Sequence, residues 1–534
     1  MNAKALVFLL LLASSLGSQA QSARDYVDIN ESEKLKSSSG SIYDIVGMDE
    51  TSIYALKNRG RRYYISRYNK DLQEEQSAQI DLKFLGMNQD PEYLTLHGNL
   101  LWLFTSYVNR GRDELQLYRS FINPKNLRRD GKAEMVAAVP RSGKIFKSEG
   151  NFNIRFSRER SKMAVVTHYP FARRENERMM VTVYASDKEE KIWEREINLP
   201  YREDLFSAER TRIDDRGNFY VLGKRYGDGT SGKVKEKSDG EKNYDYLVVG
   251  YFNNGKDKRE YVLKLEDKFI SDLQIAINES GDMICAGFYR DSPNSGLAGT
   301  YFMRLNPKTK EVMTQNMKEF NIDFITQNFS PKAKKKAKKK DARGKSVGLI
   351  KYELDEMVLR DDGGVMLVGE QYFVDQVTYT RPGPNGTTST QITYHYYYND
   401  IIVVNIAPNG LIEWTDKIPK RQHTTNDGGF FSSYLLGAKG DKIYFIFNDN
   451  PKNLNLSQNP GIGKFATFTR QRTSIVTLVV LDIEGRNRRL SLLSLKDEGM
   501  LSRPKVSEQV DPDTLILIAQ KGKSEKLYRL KLKD

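Results

Sequence analysis

Asp214-Asp215-Arg216-Gly217-Asn218-Phe219-Tyr220-Val221-Leu222-Gly223 is a polar turn bent at a glycine, followed at once by a short apolar run that stops at a second glycine. Glycine at the bend tolerates the positive φ that a tight hairpin demands, and the β-branched and aromatic residues after it favour a strand. The same order of residue types returns as Asn278-Glu279-Ser280-Gly281-Asp282-Met283-Ile284-Cys285-Ala286-Gly287 and as Arg360-Asp361-Asp362-Gly363-Gly364-Val365-Met366-Leu367-Val368-Gly369. Degenerate copies begin at Gly98 and Gly440, and weaker ones at Thr51, Arg160 and Asp513. Aligned on the turn residue, the eight copies stand 47, 62, 57, 64, 82, 77 and 73 residues apart, and each interval has room for three or four short strands.

A second element follows the first: an apolar strand, a polar turn and another strand. It reads Val181–Tyr184, Ser186-Asp187-Lys188, Ile192 to Ile197 in one copy and Ile401–Val404, Pro408-Asn409-Gly410, Ile412 to Trp414 in another. Val476–Val480 with Glu484-Gly485-Arg486, Phe302–Leu305 with Asn306-Pro307, and Tyr261–Leu265 with Glu266-Asp267 are further counterparts. No segment longer than about a dozen residues keeps a 3.6-residue apolar period, so helices should be few. Small sheets of this kind bury their two faces only against neighbours, which predicts an all-β ring of sheets, a β-propeller. Eight blades fit the copies best. Seven is the runner-up because three copies are weak, and two packed β-sandwiches are the alternative.

The last copy ends in the strand Lys526–Leu532 with two residues to follow, so the eighth sheet needs an outer strand from elsewhere. Tyr26–Ile29, or the stretch from Ile42 to Val46, is expected to supply it and close the ring. In family terms the copies resemble blades of secreted bacterial β-propeller proteins, a likeness that covers nearly all of residues 26–534 and implies fold rather than activity. Quinoprotein dehydrogenases share an eight-bladed ring with one tryptophan per blade, whereas this chain has Trp only at 102, 193 and 414. Sialidase-like turns are only approximated at Ser186-Asp187 to Trp193 and at Asn409-Gly410 to Trp414.

Composition narrows the function classes. The single cysteine, Cys285, excludes an intramolecular disulfide framework and reads as a small buried hydrophobe. Four scattered histidines argue against a multi-histidine metal centre. At the N-terminus, Lys4 precedes the apolar run Ala5–Leu12 and the small residues Ala13 to Ala20, the layout of a secretory signal peptide with cleavage after Ala20. The run is too short to span a bilayer, which needs about 20 apolar residues. The mature chain, residues 21–534, is therefore expected to be a single propeller domain exported to the periplasm, the outer membrane or the medium, with no transmembrane span.

Long insertions are expected near 227–243, 330–346, 375–400 and 448–468. The second contains Lys332, Lys334, Lys335, Lys336, Lys338, Lys339, Lys340, Arg343 and Lys345 against one carboxylate, Asp341, so more than half of the chain's net charge of +14 sits in one run. Like charges this dense repel one another, and the run reads as a disordered loop able to hook a polyanion such as lipopolysaccharide or an acidic glycan. Nucleic acid is the least suited partner for an exported chain. The third insertion reads as a protruding hairpin carrying Tyr379, Tyr394, His395, Tyr396, Tyr397 and Tyr398. Its tyrosines suit protein or sugar contact, although strand alternation buries half of them.

No nucleophile elbow, zinc-protease helix motif, phosphate loop or full calcium loop is present. The reading is a non-catalytic exported propeller, without cofactor, that binds an envelope protein or an anionic polymer. The alternative is an enzyme acting on glycans or peptides through carboxylates in the central channel.

Overall fold

A computed structural model of the chain describes residues 22–533 except 37–39, 85, 142–149, 173, 186–189, 228–242, 266, 346, 383, 385–386, 455–465, 469–473 and 495–498. The segment read as a signal peptide and most of the insertion at 227–243 lie outside the described residues, as do the turn at Ser186 to Lys188 and the middle of the insertion at 448–468.

Each copy of the turn motif sits between the first and second strands of an antiparallel sheet. Sheet I is Ser41–Met48, Ser52–Arg59, Arg62–Asn69 and Glu74–Gln79, joined in that order. Sheet II spans Asp90–His97 to Arg129–Pro140, sheet III Asn151–Phe156 to Lys191–Arg202, sheet IV Phe206–Ile213 to Asp257–Leu263, and sheet V Phe269–Ile277 to Val312–Glu319. Sheet VI spans Tyr352–Leu359 to Ile412–Ile418 with Gln422–Thr425 added, and sheet VII spans Leu435–Lys439 to Asn487–Leu493. Sheet VIII pairs Leu501–Ser502 and Glu508–Asp511 with Thr514–Lys521, followed by Ser524–Leu532. The architecture is all-β, of the β-propeller kind.

Local hydrogen bonding explains why the turns form. Gly217 has φ +80°. Beside it the Asp214 carboxylate accepts the N–H groups of Arg216 (3.0 Å) and Asn218 (2.8 Å) and the Tyr220 hydroxyl (2.8 Å). Asp49 does the same in sheet I, accepting from the N–H groups of Thr51 (2.8 Å) and Ser52 (2.7 Å) and from the Tyr54 hydroxyl (2.7 Å). A short polar side chain that satisfies its own backbone needs no distant partner, so the turn is encoded where it stands.

Eight apolar clusters lie between successive sheets. They join I to II, II to III, III to IV, IV to V, V to VI, VI to VII and VII to VIII. The remaining cluster packs Ile516, Ile518 and Leu527 of sheet VIII against Ile42, Ile45 and Ile53 of sheet I. Val27–Glu31 lies antiparallel on Ser524–Leu532, with Val27 opposite Leu532, so of the two candidate outer strands the N-terminal one takes this edge. Ile42 to Val46 belongs instead to the first strand of sheet I.

Two expectations are corrected. The described part of the lysine-rich insertion at 330–346, residues 330–345, is not a disordered loop. It follows the short helix α1 (Ile322–Ile325) and contains the helix α2 (Pro331–Asp341). Ser330 caps α2 by accepting the Ala333 N–H, Pro331 is set for the first turn, and lysine and alanine are strong helix formers. Repulsion is relieved on the inner face, where Ala337 is buried and Asp323 pairs with Lys338 (2.7 Å) and Lys334 (3.5 Å). Lys338, Lys339 and Lys340 sit at the C-terminal end, where the helix dipole favours cations. The second correction concerns Tyr261–Leu265, which is not a third-strand copy. Tyr261 to Leu263 ends the fourth strand of sheet IV, whose third strand is Tyr244–Phe252.

Candidate functional site

The first strands of the sheets run side by side in one direction, and their C-terminal ends line a cavity of about 1480 Å³. Sheets III to VIII all contribute to its wall, through stretches such as Arg155–Arg160, Arg212–Asp215 and Glu356–Asp361. This is the central channel. Its turn end carries the short Asp and Gly turns. Connections from second to third strands and from fourth strands to the next sheet therefore emerge at the opposite end. The helices α1 and α2 and the long hairpin lie there.

On the sides of sheets III and IV the wall carries Arg155, Arg158, Arg160 and Arg212 beside Glu159, Asp214 and Asp215, and Arg210 stands close to Arg212. Arg155 and Arg212 are held by neutral acceptors and form no ion pair among the described residues. Arg155 donates to the Thr211 hydroxyl (3.2 Å) and the Ile154 carbonyl (3.0 Å), and Arg212 to Gln274 (2.6 Å) and the Thr211 carbonyl (3.1 Å). Burial pulls the pKa of both guanidiniums below the usual arginine value, and Arg210 adds to the effect at Arg212.

Further carboxylates with raised pKa values come from sheets VI, VIII and I. Glu356 lines the channel and Asp355 a smaller pocket beside it, and desolvation by the surrounding protein raises Asp355 to about 7 and Glu356 above its ordinary value. The neighbouring charge of Glu370 adds to the rise at Asp355, and the Tyr434 hydroxyl, which donates to it at 2.7 Å, works against it. Glu508 of sheet VIII is raised to about 7 and Asp44 of sheet I to about 6, again chiefly by desolvation. Arg160 reaches Glu508 at 3.7 Å. A smaller pocket of about 330 Å³ at the decorated end shares Glu356 with the channel and adds Glu353, Glu370, Tyr372, Tyr398 and Tyr434. Glu370 itself is neutralised by the fully buried Lys420 at 2.5 Å.

The residues singled out from sequence fall into two groups. Lys332, Lys335, Lys336, Lys339 and Lys340 are exposed on α2 and Arg343 in the turn after it, while Lys334 and Lys338 face Asp323. The hairpin is real: Val365–Pro382 pairs with Thr388–Ile406 out to Pro382 opposite Thr388. Its tyrosines divide. Tyr394 is 41% exposed and lies opposite Gln376, and Tyr396 lies on the same face opposite Val374. Tyr397 is sandwiched between Phe373 (4.6 Å) and His423 (4.5 Å). Tyr398 is buried, 4.6 Å from Tyr372 and bonded to Lys505. The last two hold the hairpin to its sheet, while Tyr394 is exposed and Tyr396 half-buried.

Two of the scattered histidines meet, His395 Nδ1 lying 3.0 Å from His423 Nε2 at the hairpin base. A cleft of about 360 Å³ separates that base from α1, with Asn328, Phe329, Phe373 and Tyr397 on its walls. Below it Lys417 donates to the Phe324 carbonyl at 2.8 Å, and burial lowers its pKa to about 8.

The channel residues were missed by the sequence reading. Their signal was present in the strand before each turn motif, where Arg210-Thr211-Arg212 and Asp355-Glu356 interrupt an apolar pattern.

No family model matches the chain, and no curated protein matches it. Its fold is similar to that of solved propellers. The WD40 domain of SCAP from fission yeast aligns over 96% of this chain and 97% of its own length, at 9% identity and a TM-score of 0.37. The β-propeller domain of the Trilobed protease from Pyrococcus furiosus aligns over 88% and 97%, at 9% identity and a TM-score of 0.32. Prolyl oligopeptidase B from Galerina marginata aligns over 93% of this chain and 56% of its own, at 9% identity and a TM-score of 0.37. These likenesses concern fold alone. Among the described residues no helix is long and apolar enough to cross a membrane.

Proposed function

We propose that the chain is an exported, closed eight-bladed propeller that binds an anionic polymer of the cell envelope through the outer face of α2. The observation that carries this reading is the helix itself. Lys332, Lys335, Lys336, Lys339 and Lys340 are exposed on it and Arg343 just beyond its end, and among the described residues none has a carboxylate within ion-pair distance, a dense cationic surface on a fixed scaffold. Such a surface attracts polyanions at long range and is strongly screened by salt. The packing of sheet VIII on sheet I and the N-terminal strand on Ser524–Leu532 support ring closure. Tyr394 and Tyr396 on the same end of the ring supply a second contact for a sugar or protein partner. Export rests on the sequence of residues 1–20, and a mature N-terminus at Gln21 is the check.

The test is titration of purified protein with lipopolysaccharide, comparing wild type with a Lys332→Gln, Lys335→Gln, Lys336→Gln, Lys339→Gln, Lys340→Gln variant. The expected loss is at least about tenfold, with a flatter salt dependence. Equal affinity in the two proteins would overturn the reading.

A second reading, hydrolysis of a glycan or peptide, has its own support in Asp355 of the smaller pocket, which shares Glu356 with the channel. A carboxyl with a pKa near 7 that accepts from Tyr434 is suited to general acid work. Turnover of a glycan or peptide library that vanishes in Asp355→Asn would favour it.

A further inference from the structure

Arg155 and Arg212 come from different sheets and meet at one residue. The Thr211 side chain, itself buried, takes the Arg155 Nε–H on its hydroxyl, and the Thr211 carbonyl takes an Nη1–H of Arg212. Ile154 and Gln274 take one further N–H each. A guanidinium has five N–H donors, so each arginine keeps several that no protein acceptor uses. Two partly desolvated cations side by side repel each other, and every acceptor that holds them is neutral. Glu356 is near enough for its charge to act on Arg212, yet among the described residues it forms no ion pair with either guanidinium. Arg158, at the rim of the same cavity, is likewise tied to a carbonyl, that of Leu359 at 2.9 Å. The cavity is open to water and large enough for a small ligand.

We propose that Arg155 and Arg212, with Arg158 at the rim, form a binding site in the channel for the oxyanion group of a small ligand, a phosphoryl or a carboxylate group. The planar forks supply paired donors of the kind that clasp such groups, and an anion between them removes the repulsion. The geometry is pre-set by Thr211 and Gln274, so little side-chain freedom is lost on binding. The site is independent of α2, which lies at the other end of the ring and faces outward.

The probes are sodium phosphate and sodium succinate, titrated calorimetrically into the mature chain at constant ionic strength. Saturable binding of one of them is expected, and which one binds identifies a phosphoryl or a carboxylate ligand. An R155Q/R212Q variant should weaken that binding by about tenfold or more, and R212K, which keeps the charge but loses the fork, by several-fold. The α2 glutamine variant should bind as wild type does. No saturable binding of either anion overturns the proposal, as does binding that survives in R155Q/R212Q or disappears in the α2 variant. Should R155Q/R212Q fail to fold, phenylglyoxal modification of wild type decides the matter. Protection of Arg155 and Arg212 by the bound anion supports the site, and equal labelling with and without it overturns it.

Discussion

The two ends of the propeller's sheets are built on opposite principles. At the turn end, short connections are closed by their own side chains: Asp214 satisfies two backbone N–H groups and a tyrosine, and Asp49 repeats the arrangement three sheets away. At the decorated end the connections are long, and their contacts come from elsewhere in the chain. Asp323 steadies α2, Lys417 caps α1, and His423 flanks Tyr397. The difference teaches where change is tolerated. A turn that is part of each sheet's closure has no spare freedom, whereas a helix or hairpin set on a finished sheet can carry a charge pattern or an aromatic face at little cost to the fold.

Substitutions at the two ends break or sharpen that contrast. Trp193 packs under the turn of the next sheet, its indole N–H donating to the Gly217 carbonyl at 3.0 Å. Trp193→Ala should cost about 3–5 kcal/mol in denaturant unfolding, and a loss below about 1 kcal/mol would deny the turn end its structural role. Asp214→Ala removes an acceptor for several buried donors and should cost about 1–3 kcal/mol by the same measurement.

The smaller pocket beside the channel is expected to couple stability to pH through Asp355. The Asp355 pKa is raised in the folded chain, so folding favours its protonated form, and stability falls as pH rises from the ordinary carboxylate range through about 7. Asp355→Asn removes that penalty. Its melting temperature should exceed wild type by about a degree or two at pH 8 and match it near pH 4. A gain at pH 4 that equals the gain at pH 8 would show that the carboxyl's charge is not the cause. Tyr379→Ser, on the exposed hairpin, should shift stability by less than about 0.5 kcal/mol. A larger loss would mean that the hairpin is part of the fold rather than an addition to it.

The turn motif was legible because its information is local: the glycine, the aspartate and the apolar run occur together within ten residues. All eight copies therefore fall at matching turns, weak ones included, since even Thr51 needs only Asp49 and Tyr54 beside it. The hairpin was legible for the same reason. The lysine run was misjudged because counting charge along the chain leaves out Asp323, which is close to α2 only once α1 has turned back toward it. Tyr394 to Tyr398 could be named as aromatic, but Tyr397 and Tyr398 could not be separated from the others without His423 and Lys505.

From its residues alone the chain specified short antiparallel strands, their turns and their repetition, because period-two alternation and side-chain capping act over a few neighbouring positions. Tertiary packing decided what faces the channel. Arg155, Thr211 and Arg212 touch because sheets III and IV stack, and Asp355 holds its proton because surrounding sheets remove water from it. Proximity and desolvation are properties of the assembled ring, and linear order carries neither.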